Sequence, residues 1–220
     1  ANKWVGGMLT RTDGRAEPQK ATLAIAKAAE NLGASIISGC SVRGIETSGG
    51  RLSRVITEKG AISTSTALCA AGAWSSYFCR SLGISVPQLK VRGTVARINT
   101  VETKINGTIF DRQLSIRKRN DGGYTVAHGS TFDHAITPSS LKYSKKYLRA
   151  LINEFTVLKL SIGTDFIDEL AAPKHWDLDK KSPFEMNRVL NPKPNKKTIS
   201  QIQKKLGEVY PELRNANIVE

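Results

Sequence analysis

Three histidines, a scatter of carboxylates and one small-residue corner are the parts of this chain whose chemistry could matter. His128, His134 and His175 share no metal-ligand spacing, and no H-E-x-x-H stands in the sequence. Asp111, Asp121, Asp133, Asp165 and Asp168 form no acid–base pair that spacing alone brings together. No G-x-S-x-G elbow presents a nucleophilic serine. Cys40, Cys69 and Cys79 are odd in number and lack a C-x-x-C pair, so the expectation is reduced, buried thiols with no disulfide framework and no zinc. There is also no G-x-x-x-x-G-K-[ST] loop and no G-x-G-x-x-G turn, so no known phosphate loop cradles a pyrophosphate here. What remains is Leu68-Cys69-Ala70-Ala71-Gly72-Ala73-Trp74-Ser75, an apolar stretch running into Ala-Gly-Ala. With no Cβ at Gly72, a ligand or a helix can approach the main chain there.

The elements that must position this corner follow from periodicity. Pro18 to Leu32 is expected to be a helix: Pro18 suits its first turn and Gly33 its end. Ala21, Ile25, Ala28, Ala29 and Leu32 form an apolar face suited to lying close on a sheet. A short strand is expected at Ala34 to Ile37. Val42 to Thr47, Leu52 to Glu58 and Ala61 to Ala71 then read as an antiparallel meander turned by Ser48-Gly49-Gly50-Arg51 and Lys59-Gly60. A short helix follows from Ser75 to Leu82. Lys90 to Asn99 reads as a strand, and Leu114 to Arg119 with Tyr124 to His128 as a hairpin around Asn120-Asp121-Gly122-Gly123. A helix is expected at Leu141 to Phe155, a strand at Ser161 to Leu170 and a loop at Ala172 to Lys197. A capping box at Thr198 to Gln201 is expected to open a last helix reaching about Val209. The fold class is α/β (α+β), with mixed and antiparallel sheet, a three-stranded meander and covering helices.

The 220 residues carry a net charge of +14. The excess is spread: residues 1–110 hold 14 basic against 6 acidic residues, and residues 111–220 hold 19 against 13. The basic clusters lack the interleaved aromatics that stack bases, so a solvated surface is favoured over nucleic acid. No apolar run reaches the length of a membrane span, and Ala1 to Met8 show no signal-peptide pattern.

Residues 6 to 93 resemble the D-amino-acid oxidase superfamily of flavoproteins, which includes glycine oxidase, sarcosine oxidase and D-amino-acid dehydrogenase. The resemblance rests on an ordered series: Asp13-Gly14-Arg15-Ala16-Glu17-Pro18, Ala28-Ala29, Gly33-Ala34, Val42, Ile45, Gly50-Arg51, Val55, Thr57, Gly60, Ala70 to Ser75, Leu82-Gly83-Ile84, Pro87 and Val91-Arg92-Gly93. Leu114 to Arg119, Asp121 to Tyr124, Trp176, Pro183-Phe184-Glu185, Arg188 to Pro192 and Tyr210 to Leu213 extend it toward dehydrogenase-like members.

This resemblance implies the substrate-side part of a two-domain, glutathione-reductase-type flavoprotein. An FAD-domain portion is expected at residues 1–90 and a substrate-domain portion at 91–220. It implies FAD as cofactor and an amino acid or amine as substrate, oxidised at the C–N bond to an imine that water hydrolyses. By the same resemblance, Val42 would meet the adenine through its backbone, and Ala71, Gly72 and Ala73 would pack near the ribose and pyrophosphate with Trp74 as a wall. Arg117 and Arg188 are the candidates for the substrate carboxylate; no catalytic residue and no metal are assigned. The Gly-rich dinucleotide turn and the Trp-x-Gly strand of the family are missing, so the chain is expected to be a central segment, completed by further N- and C-terminal segments or a second subunit. Alone it is expected to bind FAD weakly or not at all. A cytoplasmic location is expected, with a peripheral position at the inner membrane as the alternative. The competing readings are a basic module for nucleic acid or an acidic partner, and an inactive truncated product.

Overall fold

The computed structural model describes residues 4–220; the start at Ala1, read above for a leader, lies outside the described residues. The chain divides into two compact units. Of the described residues, unit 1 comprises 4–36, 93–132 and 193–220, and unit 2 comprises 37–92 and 133–192.

Unit 1 is built on four strands of a five-stranded sheet, in the order β4 (Arg92–Ile98), β7 (Tyr124–Ala135), β6 (Ser115–Lys118) and β5 (Thr108–Ile109). β6 and β7 pair antiparallel, with Ile116 opposite Val126. Alternation decides the core face: in β4, Thr94, Ala96 and Ile98 are buried while Gly93, Val95 and Arg97 face outward. Onto that face packs α7 (Lys196–Val209) through Ile202, Leu206 and Val209, followed by the short turn at Pro211–Leu213. The chain end pairs with β4: Arg97 N–H donates to Glu220 O (2.7 Å) and Val219 N–H to Arg97 O (2.8 Å). α1 (Pro18–Asn31) buries none of its residues, and Leu23, Ile25 and Leu32 are exposed, against the expected close-packed face.

Unit 2 begins with the meander β1 (Val42–Ser48), β2 (Arg51–Thr57) and β3 (Gly60–Ser63), antiparallel in that order. Gly49 and Gly50 both take positive φ (57° and 75°), as the two-residue turn requires. α2 (Ser75–Ser81), α3 (Pro138–Lys142), α4 (Ser144–Glu154), β8 (Leu158–Ser161), α5 (Thr164–Ala171) and α6 (Pro183–Met186) follow. β8 pairs with β7.

Several expected elements differ, each for a local reason. Residues 34–37 are irregular: the Ala34 N–H closes the helix end on Ala29 O (3.0 Å), and Ile36 and Ile37 stay exposed. β3 stops at Ser63 because the Thr64 hydroxyl turns the chain, donating to Thr66 O (2.9 Å) and accepting from Thr66 N (3.2 Å). The expected strand over Ser161–Leu170 is mostly α5; Ile167 and Leu170 are at helical spacing, and Gly163 separates β8 from it. The helix over Leu141–Phe155 is broken at Tyr143, whose ring is buried. The last helix starts earlier than Thr198: Asn195 caps it by accepting from Lys197 N (3.0 Å) and Thr198 N, and Thr198 is buried in the first turn. The thiols are not buried as expected. Cys69 is exposed in the irregular run after β3, and Cys40 and Cys79 are half-buried.

Candidate functional site

The small-residue corner lies in unit 2. Ala71 and Gly72 are exposed, and Gly72 opens a single 3-10 turn, Gly72–Trp74, with φ of +53°. A Cβ built on Gly72 would meet nothing within 4 Å. Its conformation therefore selects glycine, while the space beside it stays open. The turn is held from both sides: Trp74 N–H donates to Ala71 O (3.0 Å) and Gln88 Nε2 to Gly72 O (3.1 Å). Ala73 and Trp74 are half-buried, and α2 begins at once after them. Such a corner can present main chain to a flat, polar ligand without a side chain in the way.

The start of the meander is built from charged side chains. Val42 opens β1 opposite Thr57, but the next ladder pair is Gly44 with Ile56, so Arg43 is an extra, bulged residue. Ser41 and Glu58 clasp each other just ahead of the bulge: Ser41 N–H donates to Glu58 Oε1 (2.7 Å) and Glu58 N–H to Ser41 O (3.0 Å). Arg188 grips the same carboxylate with both terminal nitrogens, at 2.7 and 2.6 Å. Arg43 forms a second fork on Glu185 (2.8 and 3.0 Å), whose Oε1 also accepts from Ser182 N and Oγ. These forks, followed by the Ser41 and Ser182 backbone amides, hold the Glu58 and Glu185 carboxyls at about 2, far below an ordinary carboxylate. Trp176 donates its indole N–H to Arg43 O (2.7 Å) and stacks edge-on with Phe184 and Tyr77.

The two arginine candidates differ in what they hold. Arg188 is already committed to the Glu58 carboxylate. Arg117, on β6 of unit 1, donates to the Ala16 carbonyl and the Thr125 hydroxyl, both neutral. Unit 2 also contains a cavity of about 450 Å³ bordered by Trp74, Tyr77, Arg80, His134, Glu169 and Phe184. His134 is fixed there by Lys90 O (2.7 Å) and Ser140 Oγ (2.9 Å), and Glu169 accepts from Ser139 N and Oγ. Among the described residues no group of three or more His, Cys, Asp or Glu side chains could hold a metal ion, and no helix is long and apolar enough to cross a membrane.

Sequence reasoning gave no site role to Arg43, Glu58, Trp176 or Glu185, although Trp176 and Glu185 stand in the series that carries the resemblance. Their partners lie 130 to 142 residues away, beyond any local spacing signal.

Comparison with known proteins gives these features a context. Residues 1–220 match the family described as FAD dependent oxidoreductase. A D-amino acid dehydrogenase of Rhizobium rhizogenes is 28% identical over 153 residues, covering 61% of this chain and 37% of the relative. One from Sinorhizobium medicae is 36% identical over 144 residues, covering 61% and 34%. The L-amino acid deaminase of Proteus myxofaciens, solved in complex with anthranilate, superposes with a TM-score of 0.86 at 33% identity, over 92% of this chain and 45% of that one. The chain spans little more than a third of the length of the curated relatives it matches.

Proposed function

The chain belongs to the FAD-dependent oxidoreductase family, and on that premise we propose that it is the substrate-side part of an enzyme oxidising the C–N bond of an amino acid. The family depends on FAD; when bound, the flavin supplies a two-electron acceptor for the hydride leaving the carbon of that bond. The observation that carries the reading for this chain is the corner at Gly72, where main chain is accessible and, among the described residues, nothing lies within 4 Å of where a Cβ would stand. Ala71, Gly72 and Ala73 would lie along the ribose and pyrophosphate and Trp74 would wall them, while the Val42 backbone would meet the adenine. Arg117 would receive the substrate carboxylate, since the groups it meets among the described residues, the Ala16 carbonyl and the Thr125 hydroxyl, are neutral. The protein's task would be to hold the Cα–H in place and keep water out, which needs little acid–base machinery.

The test is to purify the polypeptide encoded when the reading frame is followed beyond both ends, take its absorbance spectrum, and mix it anaerobically with D- and L-amino acids. One FAD per chain, bleached by an amino acid, is the expected result. A colourless protein overturns the reading.

A further inference from the structure

We propose that Arg188, Glu58, Arg43 and Glu185 are positioning residues that fix the main chain of Ser41, Val42 and Arg43 in the pose that receives the adenine end of FAD. The inference rests on the function proposed above and assigns these four residues a role within it.

The segment from Trp176 to Arg188 has little regular structure besides the four residues of α6. It is nevertheless attached at successive points to the first residues of the meander. Trp176 holds the Arg43 carbonyl, and Leu178 sits over Gly44, with its Cδ2 2.5 Å from where a Cβ would stand. Glu185 holds the Arg43 guanidinium, and Arg188 holds Glu58, which in turn holds the Ser41 amide.

These contacts converge where the ladder fails. From Gly44 to Glu46 β1 is fixed by continuous pairing with β2, but the bulge leaves Arg43 outside that register. A bulged strand re-aims its neighbours, and its geometry must be set by something other than the ladder. Here the Ser41 amide and the Arg43 carbonyl, which flank Val42, are set by side chains from residues 58 and 176, and the carboxylates of 58 and 185 are set in turn by arginines. The Arg43 and Glu185 side chains are 16% and 6% exposed, so that fork is shielded from water on both sides. Val42 itself is more than a third exposed, between the two main-chain groups that these side chains hold. Arg188, a candidate for the substrate carboxylate on sequence grounds, is thereby placed as a brace for the cofactor strand.

Two measurements on Arg188→Met and Trp176→Phe test this. The first is amide hydrogen exchange on the 220-residue chain. The expected result is exchange about tenfold faster at residues 41–43 with Val55, in the paired part of the meander, unchanged. Arg188→Lys is expected to recover part of the protection, because it restores charge without the fork. Equal acceleration across β1, β2 and β3 would mean a structural role only and overturn the proposal. The second measurement is the FAD dissociation constant of the longer, flavin-bearing polypeptide. It is expected to rise about tenfold in Arg188→Met. An unchanged constant, beside a wild-type protein that binds FAD, overturns this inference alone. A wild-type protein without FAD overturns it together with the proposed function.

Discussion

The two units are held together by different physics. In unit 1, Ile98, Leu114, Tyr124, Val126, Ile202 and Leu213 are fully buried between the sheet and α7. In unit 2, Tyr143 is the one buried hydrophobic side chain among the described residues. Its irregular segments are tied instead by arginine–carboxylate forks, aromatic edges such as Tyr77–Trp176, and hydroxyl caps such as Ser139 on Glu169. Non-directional burial tolerates changes of charge and acidity. Directional polar ties do not, but they place individual backbone atoms. The candidate cofactor surface lies in the unit built from such ties.

Removing volume should separate the units most sharply. Leu206→Ala, at 1% exposure in the core of unit 1, is expected to cost about 2–5 kcal/mol in urea unfolding. A cost near zero would mean that unit 1 is not held by its core. Overfilling unit 2 should do less. Gly44→Ala pushes a methyl against Leu178 Cδ2, the end of a flexible side chain, and is expected to cost about 1–3 kcal/mol, read from Trp176 fluorescence during unfolding. Acid should act on unit 2 through its carboxylates. Glu58 and Glu185 sit at about 2 in the folded protein against an ordinary 4.5, so their contribution is complete above 4.5 and is lost as pH falls from there through 2. Glu58→Gln and Glu185→Gln together should flatten the acid transition of unit 2 over that range; an unaltered acid titration followed through Trp176 would show the forks to be incidental. Asn195→Ala removes the cap of α7 and should cost unit 1 about 1 kcal/mol. The smallest effect is expected for Leu23→Ser on α1, whose side chain is exposed: within about 0.5 kcal/mol in this chain.

Elements carrying their own punctuation were legible in the sequence. Pro18 and Gly33 bound α1, Gly49-Gly50 turns β1 into β2, and Gly72 marks the open corner, because each needs only local backbone chemistry. The elements misjudged depended on competition between local and distant partners. At Thr64 a hydroxyl replaces a ladder partner, at Asn195 one capping residue wins over Thr198 three residues on, and around Ile167 a short apolar run fits either period. The forks on Glu58 and Glu185 were illegible for a stricter reason: an arginine's partner across some 130 residues leaves no mark in spacing. The family resemblance identified the Val42 strand without showing what steadies it.

The interleaving of the two units has a consequence for biogenesis. Unit 1 takes its sheet from residues 93–132, but the α7 face that closes its core comes from 193–220, after the whole second segment of unit 2 has been made. On the ribosome, β4, β6 and β7 must therefore wait with an open apolar face until the last helix emerges, a long-range closure that slows folding and invites chaperone capture.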